Sequence, residues 1–221
     1  QKFIKTSPMK KGILTFIIAI FVMVSGYAQN YDFDLLAQYR INVDSYKHDR
    51  ITYANSKNDS YFLSVTSSNG KLKGVLYDLD KFIMFNYLVN ESKVNDEIYF
   101  DFVYVDSDTI KYHKSFYGYE FTNEEIKADS ISKTIIVNAY EGKKRKKAKM
   151  SLEMDMIEAK SNLFPLFRFC CFHPFELLQN LNFSGNYLVK KAKGFTLMGK
   201  PVELELVEFR DVKLRLNTSK I

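Results

Sequence analysis

The sequence predicts a mainly β protein: a single antiparallel meander forming a strongly curved sheet or an open barrel, capped by a hydrophobic loop and short helix over about residues 158–181. Three observations carry that expectation. Aromatic residues make up 15% of the chain, all of them Phe or Tyr, and both fit a pleated, half-buried surface. No proline stands between Pro8 and Pro165, as expected where backbone N–H groups are committed to a ladder that proline cannot join. Short apolar–polar alternations of period two recur along the chain, separated by turn residues.

In chain order the first element is a leader, not a strand. Residues 1–8 read as an upstream extension with no part in the fold. Residues 9–28 open with Lys10 and Lys11, continue as an uncharged apolar run and end in Gly26-Tyr27-Ala28, with small residues at both positions that a signal peptidase inspects. A membrane span needs about 20 apolar residues. This run is shorter and meets Gln29-Asn30 at once, so cleavage between Ala28 and Gln29 is expected rather than a permanent anchor. No Cys follows the cut, and the sequence therefore predicts export to the periplasm or the exterior without a lipid anchor. Four of the 32 Lys and Arg residues lie in the leader and none of the 26 acids, so the remainder carries +2 rather than +6. That balance gives no argument for nucleic acid. Residues 29–221 suffice for one β-rich domain with a real core.

Residues 33–43 and 49–56 are the expected opening strands. Residues 61–67 and 71–78 flank Asn69-Gly70, a strong hairpin signal because both central residues of its turn take positive φ. A two-residue turn there pairs Leu63 with Leu76 and Val65 with Gly74. Residues 82–89 and 98–105 are apolar on both faces in part, as central strands are, and Asp106-Ser107-Asp108 reads as the following turn. Thr122-Asn123-Glu124-Glu125 has the spacing of a capping box, which predicts a short helix. Residues 133–140 and 145–157 form a second expected hairpin. A type II′ turn at Gly142 would pair Ile135 with Met150 and Val137 with Ala148. Residues 202–209 and 212–216 form a third, with a β-bulge near Leu206 bringing both apolar phases to the core and Glu208 facing Lys213.

Residues 158–181 break the alternation. Nine large apolar side chains crowd into sixteen positions, and each one left in water forgoes about 1.5–3 kcal/mol, so they must pack on something. Pro165 and Pro174 suit irregular chain leading into a short helix with Pro174 near its first position. The bland expectation is that the segment completes the core of the curved sheet. The functional one is that it only partly fills the interior, leaving Phe164, Phe167, Phe169, Phe172, Phe175 and Leu178 as candidate contacts for a lipophilic ligand. This outline resembles that of periplasmic lipoprotein carriers, in which helices plug an open β-barrel. The resemblance is one of architecture, and it carries no site residue across.

The polar residues suggest little chemistry. Cys170 and Cys171 are adjacent, with Cα atoms about 3.8 Å apart, too close for an unstrained bridge, and both are expected reduced and buried. With Cys171 and His173 supplying only two ligands, no metal site is expected, nor any cofactor. Lys143, Lys144, Arg145, Lys146, Lys147 and Lys149 make the densest charge cluster, a solvated hairpin or a docking surface for anionic membrane or polysaccharide. Carboxylate pairs such as Glu153/Asp155 and Glu203/Glu205 share a strand face opposite the apolar one and read as solvated. No catalytic motif is present, although dispersed carboxylates would leave none. Three classes follow: an exported protein binding an apolar or amphipathic ligand, an envelope interaction or scaffolding protein, and a hydrolase with dispersed carboxylates.

Overall fold

The computed structural model describes residues 29–218 apart from 69, 95–96, 112–118, 143–146, 173–180, 182 and 184. The leader lies outside the described residues. In chain order the elements are β1 (Asn30–Val43), β2 (Tyr46–Asn55), β3 (Asn58–Ser68), β4 (Lys71–Asp78), β5 (Ile83–Val94) and β6 (Glu97–Thr109). They continue with β7 (Tyr119–Ala128), β8 (Ser132–Glu141), β9 (Ala148–Glu158), helix α1 (Phe164–Cys171), β10 (Tyr187–Phe195) and β11 (Pro201–Asn217). All strands join one antiparallel sheet in the order β6-β5-β4-β3-β2-β1-β11-β10-β9-β8-β7. The chain thus meanders outward from β1 to one edge, resumes at the other edge and meanders back, so that its first and last strands pair at the centre.

Covalent reach shows that this sheet is curved. The nine residues 110–118 join β6 to β7, the two edge strands. Ten chain steps span at most about 35 Å, whereas a flat sheet would hold its edge strands about 48 Å apart. Side chains agree: the rings of Tyr53 on β2 and Phe102 on β6 lie 6.1 Å apart with three strands between them. The sheet is nonetheless open, since β6 and β7 do not pair among the described residues.

The sheet carries two cores on opposite faces. Alternation along β2 and β3 sends Ala54 and Phe62 to one face, and Tyr53 and Leu63 to the other. The first core runs under α1 and gathers Tyr39, Ile135, Val137, Met154, Val189 and Leu204. The second is built by strands alone, from Tyr31, Phe33, Leu36, Leu63, Leu76 and Tyr87, with Phe100 and Phe102 closing over it from β6. β1 serves both, and its register shift between Phe33 and Leu35 is where its inward phase changes.

Several local expectations stand and several fall. The Gly70 hairpin has the expected register, Leu63 opposite Leu76 and Val65 opposite Gly74. Thr122–Glu125 is not helical but lies within edge strand β7, where pairing with β8 overrides the capping-box pattern. Asp106-Ser107-Asp108 is no turn either, for β6 runs through it, with Asn86 Nδ2 donating to Asp106 Oδ1 at 2.6 Å across the strands. β6 is an edge strand, not a central one. The β8–β9 loop is longer than a two-residue turn, so Ile135 pairs with Met154 and Val137 with Leu152, four residues beyond expectation; the even shift keeps every side chain on its expected face. The third hairpin is absent: β11 is one strand of 17 residues lying along β1, and Glu208 pairs with Arg210 at 2.9 Å rather than with Lys213. A bulge is present, since Gln38 opposes Glu208 and Tyr39 opposes Leu206, leaving Val207 extra, but it does not bring both apolar phases to the core: Val207 and Phe209 stay exposed.

Candidate functional site

Helix α1 begins at Phe164 with Pro165 in its first turn, where the missing N–H costs nothing; the helix start expected near Pro174 lies outside the described residues. Asn162 Oδ1 accepts from the Phe164 N–H at 3.1 Å, and the Leu163 N–H donates to Tyr187 O at 3.1 Å, tying the entry to β10. Phe164, Leu166, Phe167, Phe169 and Cys170 turn into the first core. At the other end, Arg50 Nη1 donates to Cys170 O at 3.0 Å, and Cys170 Sγ donates to Arg50 O at 3.3 Å. The guanidinium thereby meets one of the carbonyls a helix C-terminus leaves unpaired, at its negative end.

Beside that end lies a half-open pocket of about 640 Å3. Its floor is the sheet face made by Ile41 and Val43 of β1, His48 and Arg50 of β2, and strands β3 and β4. Its roof is Phe169, Cys171 and Phe172. One wall is a stack of three rings: Phe62 lies 4.8 Å from Tyr77 and 4.5 Å from Phe169, nearly parallel to each. The mouth is formed by Tyr119 and by the turn from Thr196 to Lys200, closed by the Thr196 N–H to Lys200 O bond at 2.9 Å, with Met198 exposed at its tip. Size and composition match a small-molecule site, apolar walls with a few converging polar groups.

Electrostatics single out two of those groups. Burial, reinforced by the Arg50 charge, holds the His48 imidazole below its ordinary pKa, so it is neutral at pH 7. His48 Nδ1 and Arg50 Nε are both buried with no hydrogen-bond partner among the described residues. Burial likewise raises the Tyr77 hydroxyl and the Cys171 thiol, which argues against a thiolate nucleophile here. Both cysteines are free; Cys170 is fully buried as expected, whereas Cys171, at the helix end beside the pocket, is only half-buried.

Of the six apolar candidates, Phe169 and Phe172 line the pocket, while Phe164 and Phe167 are packed into the core, 1% and 0% exposed. Phe175 and Leu178 lie outside the described residues. In the basic hairpin Lys143, Lys144, Arg145 and Lys146 lie outside them too; Lys147 and Lys149 are exposed, and Lys149 pairs with Glu141 at 3.2 Å. The carboxylates of β9 and β11 line shallow grooves on the outer face, where Lys193 pairs with Glu153 at 3.1 Å and Lys191 with Glu205 at 3.0 Å. The Lys191 ammonium holds the Glu205 carboxyl below its usual range, the reverse of what a general acid at neutral pH needs. Sequence reasoning missed Arg50 and His48. On β2 they alternate with the apolar Ile51 and Tyr53 and so resemble the wet face of a one-sided strand. Only a sheet covered on both faces turns them inward.

No family model matches the chain, and no curated protein matches it. Among solved structures it is similar to an outer membrane lipoprotein-sorting protein domain from Vibrio parahaemolyticus, at 9% identity and a TM-score of 0.22, over 90% of this chain and 91% of that one. A likeness at that score carries no argument about ligand or location.

Proposed function

We propose that the protein binds an apolar or amphipathic small molecule in the pocket between α1 and the sheet. The observation that carries this reading is the gap itself. The ring stack of Tyr77, Phe62 and Phe169 and the side chain of Phe172 present apolar surface to about 640 Å3 of unfilled space, rather than closing it as Phe164 and Phe167 close the core beside them. Apolar surface left accessible in a cleft is stabilised by whatever apolar partner enters. The protein acts outside the cytoplasm in this reading. Organic extraction of natively purified protein followed by mass spectrometry tests the binding. A stoichiometric lipophilic species is expected, and repeated blanks from protein with an intact fold would count against it. The exported chain is expected to begin at Gln29.

A second reading, a surface for an envelope partner, has one observation in its favour: Leu88 and Val103 oppose each other and are 49% and 45% exposed on β5 and β6, the latter an edge strand of the sheet among the described residues. Replacing both by Lys would abolish such docking and leave ligand extraction unchanged.

A further inference from the structure

The pocket's polar groups bear on the charge of its occupant. The described lining contains the cations Arg50 and Lys200 and the imidazole of His48, with no Asp or Glu. The acid adjacent to Arg50 in sequence is engaged elsewhere: Asp49 pairs with Arg40 at 3.1 Å and accepts from Gln38 Nε2 at 2.9 Å. Among the described residues Arg50 therefore brings to an apolar cleft a charge that meets only the carbonyl end of α1, an arrangement that an entering anion would stabilise.

The guanidinium is also oriented. Its Nη1 is committed to Cys170 O, and its Nε is buried with no hydrogen-bond partner among the described residues. His48 Nδ1, two residues away on the same strand face, is likewise buried without a partner among the described residues. Apolar surface continues from this corner along Val75, Phe62, Phe169 and Phe172.

We infer that the pocket takes a single-chain anionic amphiphile, its head drawn to the positive charge of Arg50 and Lys200 and its chain laid against Phe169 and Phe172. This rests on the pocket reading above and adds the sign of the head. The test is isothermal titration of the full chain, stripped of co-purifying molecules on a hydrophobic resin, with four probes of equal chain length: dodecanoate, dodecyl phosphate, dodecan-1-ol and dodecyltrimethylammonium. Dodecanoate and dodecyl phosphate are each expected to bind at least about tenfold more tightly than dodecan-1-ol, the worth of a charge-assisted pair. In Arg50→Gln the dodecanoate preference should shrink to about twofold while dodecan-1-ol binding stays the same. Because that change also removes the tie to Cys170 O, Arg50→Lys supplies a second variant that keeps the charge and should keep most of the preference for dodecanoate. Equal binding of dodecanoate and dodecan-1-ol, a preference that survives in Arg50→Gln, or tighter binding of the cationic probe would overturn the inference and leave the pocket reading standing. If no probe binds, the pocket reading falls and this inference with it.

Discussion

The two faces of the one sheet solve the same problem differently. Between β1 and β6 the sheet curls far enough that strand side chains meet one another. Tyr31 and Phe85 come within 5.8 Å, Tyr87 and Phe102 within 6.3 Å, and the face fills itself. On the other face, from β8 through β11 to β4, the curl is not enough. A foreign element is needed, and α1 supplies it. A strand-built core is closed by register alone, whereas a core closed by a separate segment fits only as well as that segment does. The unfilled space lies where α1 ends, and that is where the candidate ligand site is.

The comparison can be broken at several points. The largest effect is expected at Gly194 on β10, whose φ of 154° and close backbone neighbour forbid a side chain: a Cβ there would stand 1.9 Å from Ser151 O. Gly194→Ala should cost about 4–5 kcal/mol, the exceptional range for one substitution, read from urea unfolding; a loss under 1 kcal/mol would mean the β9–β10 approach is misdescribed. Phe167→Ala should cost about 3–5 kcal/mol, since the ring is fully buried against Tyr39 at 5.5 Å. Hydrogen exchange should show that loss first in β8 to β10, and uniform loss across both faces would contradict the division into two cores. In the strand-built core, Tyr31→Phe removes the 2.7 Å bond from the hydroxyl to buried Asp78 and should cost about 1–3 kcal/mol. Asp78 keeps the Lys81 N–H and ammonium at 2.9 and 3.5 Å, so the β4–β5 turn should survive.

The smallest effect is one of pH. His48 has a lowered pKa in the folded protein, because burial and Arg50 oppose its protonation while Asp49 only weakly favours it. The unfolded chain therefore binds the proton first. Its contribution to stability is complete above about pH 6.5 and is lost as pH falls through the folded value. Urea midpoints at pH 7.5 and 5.5 should differ less in His48→Gln than in the native chain; an unchanged difference would place the responsible groups elsewhere.

Much of the sheet was readable from residue pattern. Where alternation was strict, as in Met150, Leu152, Met154 and Met156, both face and strand came out correctly, and Asn69-Gly70 set its register because a two-residue turn allows only one. The failures share a cause: local signals describe what a segment would do alone. The capping box at Thr122, the acidic turn at Asp106 and the break near Arg210 were each overruled by a neighbouring strand offering a full ladder. The pocket was readable only by half. A crowded apolar run implied a cap, but which rings would face a gap depends on how α1 meets β3. Arg50 and His48 could not be placed without knowing that the sheet is covered on both faces.

The central claim is that the space beneath Phe169 and Phe172 is a binding site rather than a packing flaw. Titration with the fluorescent apolar probe N-phenyl-1-naphthylamine, in the native chain and in Val75→Phe, tests it most directly, because Val75 lines the pocket floor and a larger side chain there would occupy the space. Saturable one-to-one binding that weakens at least about tenfold in Val75→Phe, with the urea midpoint unchanged, is the predicted result. Equal binding by both proteins would contradict it.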